Sequence, residues 1–428
     1  MKKTFTLLLA LVLSTPALWA FGKNRVVIDG IAYTLNAKSQ VATVVAGDEK
    51  YAGDVYIPDT LHVDSLVYYV EAIGAGAFND CVGLTSVRFP TALNSLPYGG
   101  FQNCRSLTSV ELPEKLSKIP ASLFENCSGL QSVVLPPSLE EMGTAVFRGC
   151  TSLTEITFPR YQKVPDDCFS GCSSLHTVDL PTGCVGIGSQ AFANCTELSQ
   201  ISLEGVAEIG SYAFAGCHSL TSVELPKGID KLSDGVFRDC IGLKRVRFTT
   251  ALQKIGSEAF MGCTTLKSVE LPTSLRSLGS SAFEACYELE DVKFPKGFRE
   301  ISSGTFRGCA ALKDLELPIA LEKIGSEAFE HCTGLTYLIL PASVISIGSN
   351  AFGSCNGLTD VATLAAYPFK VNSSAFPKTL VKGGLLHVKE QCYNAFVADK
   401  RWRDFINVEH DAEDFVKRIR DAQKNTSD

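Results

Sequence analysis

The chain has 428 residues, of which 45% are apolar and 20% charged, and its formal net charge is −7 at neutral pH. That composition excludes a disordered chain. The negative balance argues against a nucleic-acid or anionic-membrane partner.

In chain order, residues 1–20 read as a secretory signal peptide. Lys2 and Lys3 supply the positive start, Leu7 to Leu13 the apolar stretch, and Ala17 and Ala20 small residues for cleavage. The stretch is too short to span a bilayer comfortably. Its removal takes away Lys2 and Lys3 and moves the formal charge from −7 to −9. No cysteine precedes Cys81, so no lipid-modified cysteine lies near the cleavage point, and no later segment reads as a membrane span. A secreted, cell-surface or periplasmic protein is expected. Residues 21–54 read as an N-terminal β cap. Val26 to Leu35 gives strand, Asp29-Gly30 turn, strand. Val55 to Pro58 is strand-like, followed by Val67 to Ala72 and by Ile73-Gly-Ala-Gly-Ala-Phe78.

Residues 55–363 carry about 13 repeats. Phe recurs at Phe78, Phe101, Phe124, Phe147, Phe169, Phe192, Phe214, Phe237, Phe260, Phe283, Phe306, Phe329 and Phe352, in steps of 23 with two of 22. Three residues after each stands Cys, from Cys81 to Cys355, and six after stands Leu, from Leu84 to Leu358. Nine after is Val, Ile or Leu; eleven after is Leu or Phe, except at Thr363. Pro usually follows, as at Pro90, Pro113 and Pro136. Alternation predicts a short strand in each unit. In Leu107-Thr-Ser-Val110-Glu-Leu112, Val110 and Leu112 point one way and Ser109 and Glu111 the other. Pro113 has no N–H for a ladder and stops the strand. The return segment turns Ile255 and Phe260 inward, with Gly256 at a bend read as left-handed. No unit has enough core to fold alone, so stacking must bury its apolar edge. At about 4.8 Å per strand, thirteen coils give one parallel sheet on the order of 60 Å long.

With that unit on the page, L-x-x-V-x-L-P-x-x-L-x-x-I-G-x-x-A-F-x-x-C as in Leu266 to Cys286 with Leu278 in the Ile place, the chain resembles the BspA-like leucine-rich repeats of secreted and surface bacterial proteins. The resemblance implies a right-handed repeat solenoid with a β-hairpin N-terminal cap and an α/β C-terminal cap. It departs from the better-known repeat class at Ala92, Lys115 and Ser138, where that class places Asn. Residues 364–410 are expected to form the C-terminal cap. There Leu385 to Val388 reads as a strand and Cys392 to Trp402 as a helix, with Trp402, Phe405 and Ile406 as apolar anchors. Residues 411–428 are read as a polar, frayed tail, although Phe415 and Ile419 would suit one helical stripe.

No cofactor or metal is expected. Gly186-Ile-Gly188-Ser-Gln-Ala191 matches a dinucleotide fingerprint only because Ile-Gly-Ser recurs at Ile255 and Ile324, and it lacks the strand–turn–helix context. The histidines His62, His176, His218, His331, His387 and His410 fall at unrelated repeat phases, with no C-x-x-C or H-E-x-x-H. The ladder cysteines are expected as buried thiols beside the Phe spine, because parallel Cβ vectors do not suit disulfides. The state of Cys168, Cys184 and Cys392 is left open.

No catalytic motif is found, so an enzyme is not expected; a site assembled across coils is the remote alternative. The resemblance implies adhesion or protein binding; a monomer with an extracellular protein or glycan as partner is expected. An envelope scaffold or glycan-binding role is the alternative, favoured by a row of exposed aromatics if there is one. The outward positions eight and ten after each Phe include Arg88, Glu111, Glu155, Asp179, Glu224, Asp291 and Asp314. The candidate partner-binding residues among them are Arg245, Arg247, Glu270, Lys293, Glu316, Tyr337 and Ile339. Arg245 and Arg247 read as a basic island on a mildly acidic face, and Tyr337 with Ile339 as an exposed apolar anchor.

Overall fold

The computed structural model describes residues 24–159, 163–180 and 183–425, so the predicted signal peptide lies outside the described residues. The chain winds into a solenoid of parallel strands. Successive turns pair one repeat apart, Ser222 opposite Arg245 and Glu224 opposite Arg247 in one case, and Ser268 opposite Asp291 and Glu270 opposite Lys293 in another. The inward residue of each such strand is largely buried, as Val110, Val223 and Val269 show. Regular pairing comes in blocks of two to four strands. Single backbone bonds carry the stack between blocks, such as Ser219 N–H to the Thr196 carbonyl at 3.0 Å. A second parallel ladder runs along the return leg, for example Lys231–Leu232, Lys254–Ile255 and Ser277–Leu278. Its strands are only two residues long, too short for a periodicity to announce.

The Phe side chains form the spine. Consecutive rings from Phe78 to Phe352 stack with centroids 5.0–5.8 Å apart and planes within 24° of parallel. That is the offset arrangement aromatic quadrupoles favour. Where Phe replaces Leu at the strand end, as at Phe158, Phe248 and Phe294, the extra ring meets the spine edge-on. The spine continues past the expected last repeat. Phe376 stacks on Phe352 at 5.6 Å, and buried Trp402 closes the stack 6.2 Å beyond. The sequence hid Phe376 because its step is 24 residues and Thr379, not Cys, stands three after it.

The ladder cysteines have a specific role. Each Phe carbonyl from Phe78 to Phe329 accepts the backbone N–H of its own turn's Cys and the thiol of the next, as Phe78 does from Cys81 N–H at 3.2 Å and Cys104 Sγ at 3.1 Å. The same thiol bond repeats down the stack, from Cys240 to Phe214 and from Cys355 to Phe329 among others. Both lone pairs of a buried carbonyl are thereby used, by a donor no bulkier than a small hydrophobe. All sixteen cysteines are buried free thiols, Cys168, Cys184 and Cys392 included.

Gly256 is required for a reason other than the one expected. Its φ is not left-handed; instead a Cβ there would meet the Ser233 carbonyl carbon and oxygen at 2.6 Å. The left-handed residues flank the Phe two positions to either side, for example Ser122 and Asn126, Glu258 and Gly262, Glu327 and His331.

At the N-terminal end, strands Arg25–Ile28, Ile31–Asn36 and Val41–Val45 form a meander whose first turn has Asp29 and Gly30 both at positive φ. Thr60–Val63 and Leu66–Ile73, beyond the expected boundary at 54, complete that five-stranded sheet. At the other end lie α1 (Lys378–Gly383), α2 (Tyr393–Ala398) and α3 (Ala412–Asn425). Strands Leu385–His387 and Asn407–Glu409 extend the main ladder. Trp402 and Phe405 are buried there, whereas Ile406 is 69% exposed and anchors nothing.

Candidate functional site

The candidate site is the outward face of the main ladder. Arg245, Arg247, Glu270, Lys293 and Glu316 are exposed on it. Their register changes the meaning of the charges. The second outward position runs Glu224, Arg247, Glu270, Lys293, Glu316 along consecutive coils, alternating in sign. Arg247 lies 3.5 Å from Glu224, with both side chains about 70% exposed. Cross-strand pairing of this kind is worth a few tenths of a kcal/mol and leaves the strip near neutral there. The basic island therefore reduces to Arg245, which has Ser222 opposite it.

Tyr337 and Ile339 are not the open anchor expected of them. Both are half-buried, because residues 412–425 form α3 rather than a frayed tail. Phe415 and Val416 are buried against Ala362, and Tyr337, Ile339, Leu364 and Ile419 pack around them. The Tyr337 hydroxyl donates to Asp314 at 2.8 Å and accepts from Gln423 at 2.8 Å. The helical spacing of Phe415, Val416 and Ile419 was visible, but its apolar partner lies some eighty residues away in sequence.

One acid–imidazole cluster was missed altogether. His387, 3% exposed, has Nδ1 at 2.6 Å from Asp411 and Nε2 at 3.1 Å from Asp360. Its ring stacks on Phe415 with centroids 4.0 Å apart. Arg418 donates to the other oxygen of Asp411 at 2.9 Å. Burial opposes ionisation of Asp411, yet the hydrogen bonds from His387 and Arg418 outweigh it and hold its carboxyl below the usual carboxylate range. Both imidazole nitrogens face carboxylates, so neither is free to act as a general base. The cluster fastens α3 to the ladder.

The exposed aromatics stand at unrelated places. Tyr56 lies on the strand face under the Arg88 guanidinium, Tyr98 precedes the spine and Tyr287 follows Cys286. Among the described residues no three His, Cys, Asp or Glu side chains are grouped to hold a metal, and no helix is long and apolar enough to cross a membrane.

Residues 64–176, 146–264 and 233–359 match the profile of the BspA type leucine rich repeat region. No curated protein matches the chain. The solved structures that resemble it include two bacterial proteins. A leucine-rich repeat protein from Bacteroides ovatus is 23% identical, with a TM-score of 0.68, over 90% of this chain and 98% of that one. A leucine rich cell surface protein from Faecalibacterium prausnitzii is 25% identical, with a TM-score of 0.53, over 80% of this chain and 96% of that one.

Proposed function

The chain belongs to the BspA-type leucine-rich-repeat family, and we propose that it is an exported, non-enzymatic, monomeric protein that binds an extracellular protein through its strand face, as in adhesion. One observation carries the reading. The outward positions vary from Ser and Glu to Arg, Asp and Tyr along the solenoid, while the inward position nine after each Phe keeps to Val, Ile and Leu. A long, rigid, chemically varied face suits a large partner better than a small substrate. Export is supported by residues 1–20 and by the surface protein of F. prausnitzii named above.

The test is surface-plasmon binding of the mature chain to immobilised extracellular matrix proteins and bacterial envelope glycans. Protein binding is expected. The double variant Arg245→Glu with Arg247→Glu should slow association several-fold and alter its salt dependence, with dissociation nearly unchanged. Binding to glycans alone would favour an envelope role, and a double variant with unaltered rates would move the site off this face.

A further inference from the structure

The N-terminal cap leaves an open cleft of about 580 Å³ against the first coil. Residues 27–33 of the first hairpin, the loop at 47–52 and the strand Gly53–Tyr56 line it. That strand pairs Asp54 with Ser86 and Tyr56 with Arg88, so the cleft opens onto the N-terminal end of the strand face. Tyr33 lines the cleft and is 1% exposed. Its hydroxyl has no hydrogen-bond partner among the described residues, whereas the Tyr51 hydroxyl accepts from Ala32 N–H at 3.1 Å and donates to the Val45 carbonyl. Among the described residues no buried side-chain nitrogen or oxygen lacks both a partner and solvent. The Tyr33 hydroxyl therefore meets solvent, and the solvent space that Tyr33 lines is this cleft. Burial raises its pKa, with Tyr51 and Asp29 adding to the effect, so it stays neutral and able to accept. A hydroxyl held so deep without a partner gains from a ligand's hydrogen bond.

The charges around it are mostly of one sign. Asp29, Asp48, Glu49 and Asp54 line the cleft, with Lys50 as its one basic residue. Arg25 engages Asp48 at 3.0 Å, and Lys50 donates to the Asn79 carbonyl. The hydroxyls of Ser86 and Thr85 donate to Asp54 and hold its carboxyl below the usual carboxylate range, so it stays ionised. Asp29 and Glu49 have no partner among the described residues. The cleft is therefore net negative, with two uncompensated carboxylates and one unmet hydroxyl.

We propose that this cleft receives a lysine or arginine side chain of the protein partner, the cation facing Asp29 and Glu49 while one of its N–H groups donates to the Tyr33 hydroxyl. The inference names a side-chain class for the partner and rests on the strand-face reading. The volume is that of a small-ligand pocket and holds such a side chain with its chain neighbours. Hydrogen bonds between a cation and carboxylates are stronger than neutral ones, so an uncharged group should be held less well.

The test titrates the mature chain by isothermal calorimetry. The probes are the peptide acetyl-Gly-Gly-Lys-Gly-Gly-amide, its arginine counterpart, and the lysine peptide acetylated on Nζ. A basic peptide should bind with a Kd on the order of 1 mM or tighter, at least tenfold better than the acetylated one. Tyr33→Phe removes only the hydroxyl, and Asp29→Asn with Glu49→Gln removes only charge. Each should weaken binding at least fivefold at an unchanged melting temperature, and the charge variant should also lose most of the salt dependence. No binding of a basic peptide to the parent overturns the proposal. So does equal binding of the acetylated peptide, or either variant binding as the parent does. Binding of envelope oligosaccharides instead, weakened by Tyr33→Phe, overturns the basic class. The titration needs no macromolecular partner, and Arg245→Glu with Arg247→Glu leaves the cleft untouched, so its failure is distinguishable from failure of the strand-face reading.

Discussion

A Phe and a Cys three residues apart do different work in each turn. Phe237 is fully buried between Phe214 and Phe260, with ring centroids 5.6 and 5.5 Å away. Phe237→Ala should cost about 3–5 kcal/mol, because neighbouring turns locked in a stack collapse poorly into the void. Its neighbour Arg238 pairs with Glu258 at 2.6 Å and Asp239 at 3.3 Å, with its side chain 36% exposed. Solvent screens both pairs, so Arg238→Ala should cost under about 1 kcal/mol. Urea unfolding of the two variants checks the contrast, and equal losses would put the inward phase in the wrong place. Cys240→Ala removes the thiol bond to the Phe214 carbonyl and should cost about 1–2 kcal/mol, since the carbonyl keeps its N–H partner. A neutral result would mean that the thiol only fills space.

At the scale of one turn, glycine shows which backbone contacts are obligatory. Gly256 and its counterparts Gly279 and Gly348 sit where a Cβ would lie 2.3–2.6 Å from the backbone of the preceding coil. Gly256→Ala must push two coils apart, and a loss of at least 2 kcal/mol, on the order of an overpacked core, is expected. Gly228 faces open space at negative φ, so Gly228→Ala should be neutral or stabilising by up to about 1 kcal/mol. Thermal melting of the pair separates close approach from mere glycine content; a Gly256→Ala variant as stable as the parent would refute the contact. The period made the Ile-Gly step legible. The reason for the Gly was not, because it depends on a neighbour 22 to 24 residues away.

Over the whole molecule the buried thiols couple stability to pH. Burial pushes Cys240 and Cys355 up from 9.0 to about 12, and it drives Cys150, Cys195, Cys217, Cys263, Cys309 and Cys332 well above 9.0. The folded chain therefore keeps protons that the unfolded chain releases above about pH 9. Stability is full below that value and is lost as pH rises through the folded values, by about 1.4 kcal/mol per thiol per pH unit. A steep fall in the urea midpoint is expected between pH 9 and 10.5. Its slope should drop by two protons in the double variant Cys240→Ala with Cys355→Ala. A midpoint level to pH 10.5 would show that the thiols are not shielded. Native alkylation should be slow at pH 8 for the same reason and become fast on denaturation.

What the sequence determined by itself was everything set by period. Thirteen Phe, Cys and Leu positions in phase specify a stacked coil, its inward side chains and the free thiols, because each turn repeats the same local solution against an identical neighbour. Tertiary structure alone decided what links unlike parts. It paired Arg247 with Glu224 across coils, set His387 between Asp360 and Asp411, and brought Phe415 to Tyr337 and Ile339. Residues 411–428 look polar because their few apolar side chains form a stripe only as a helix, and that helix is stable only against a strip built by two earlier coils. Periodicity reports a residue's environment when the neighbour is a copy. Where the neighbour is unlike, only the fold brings the two together.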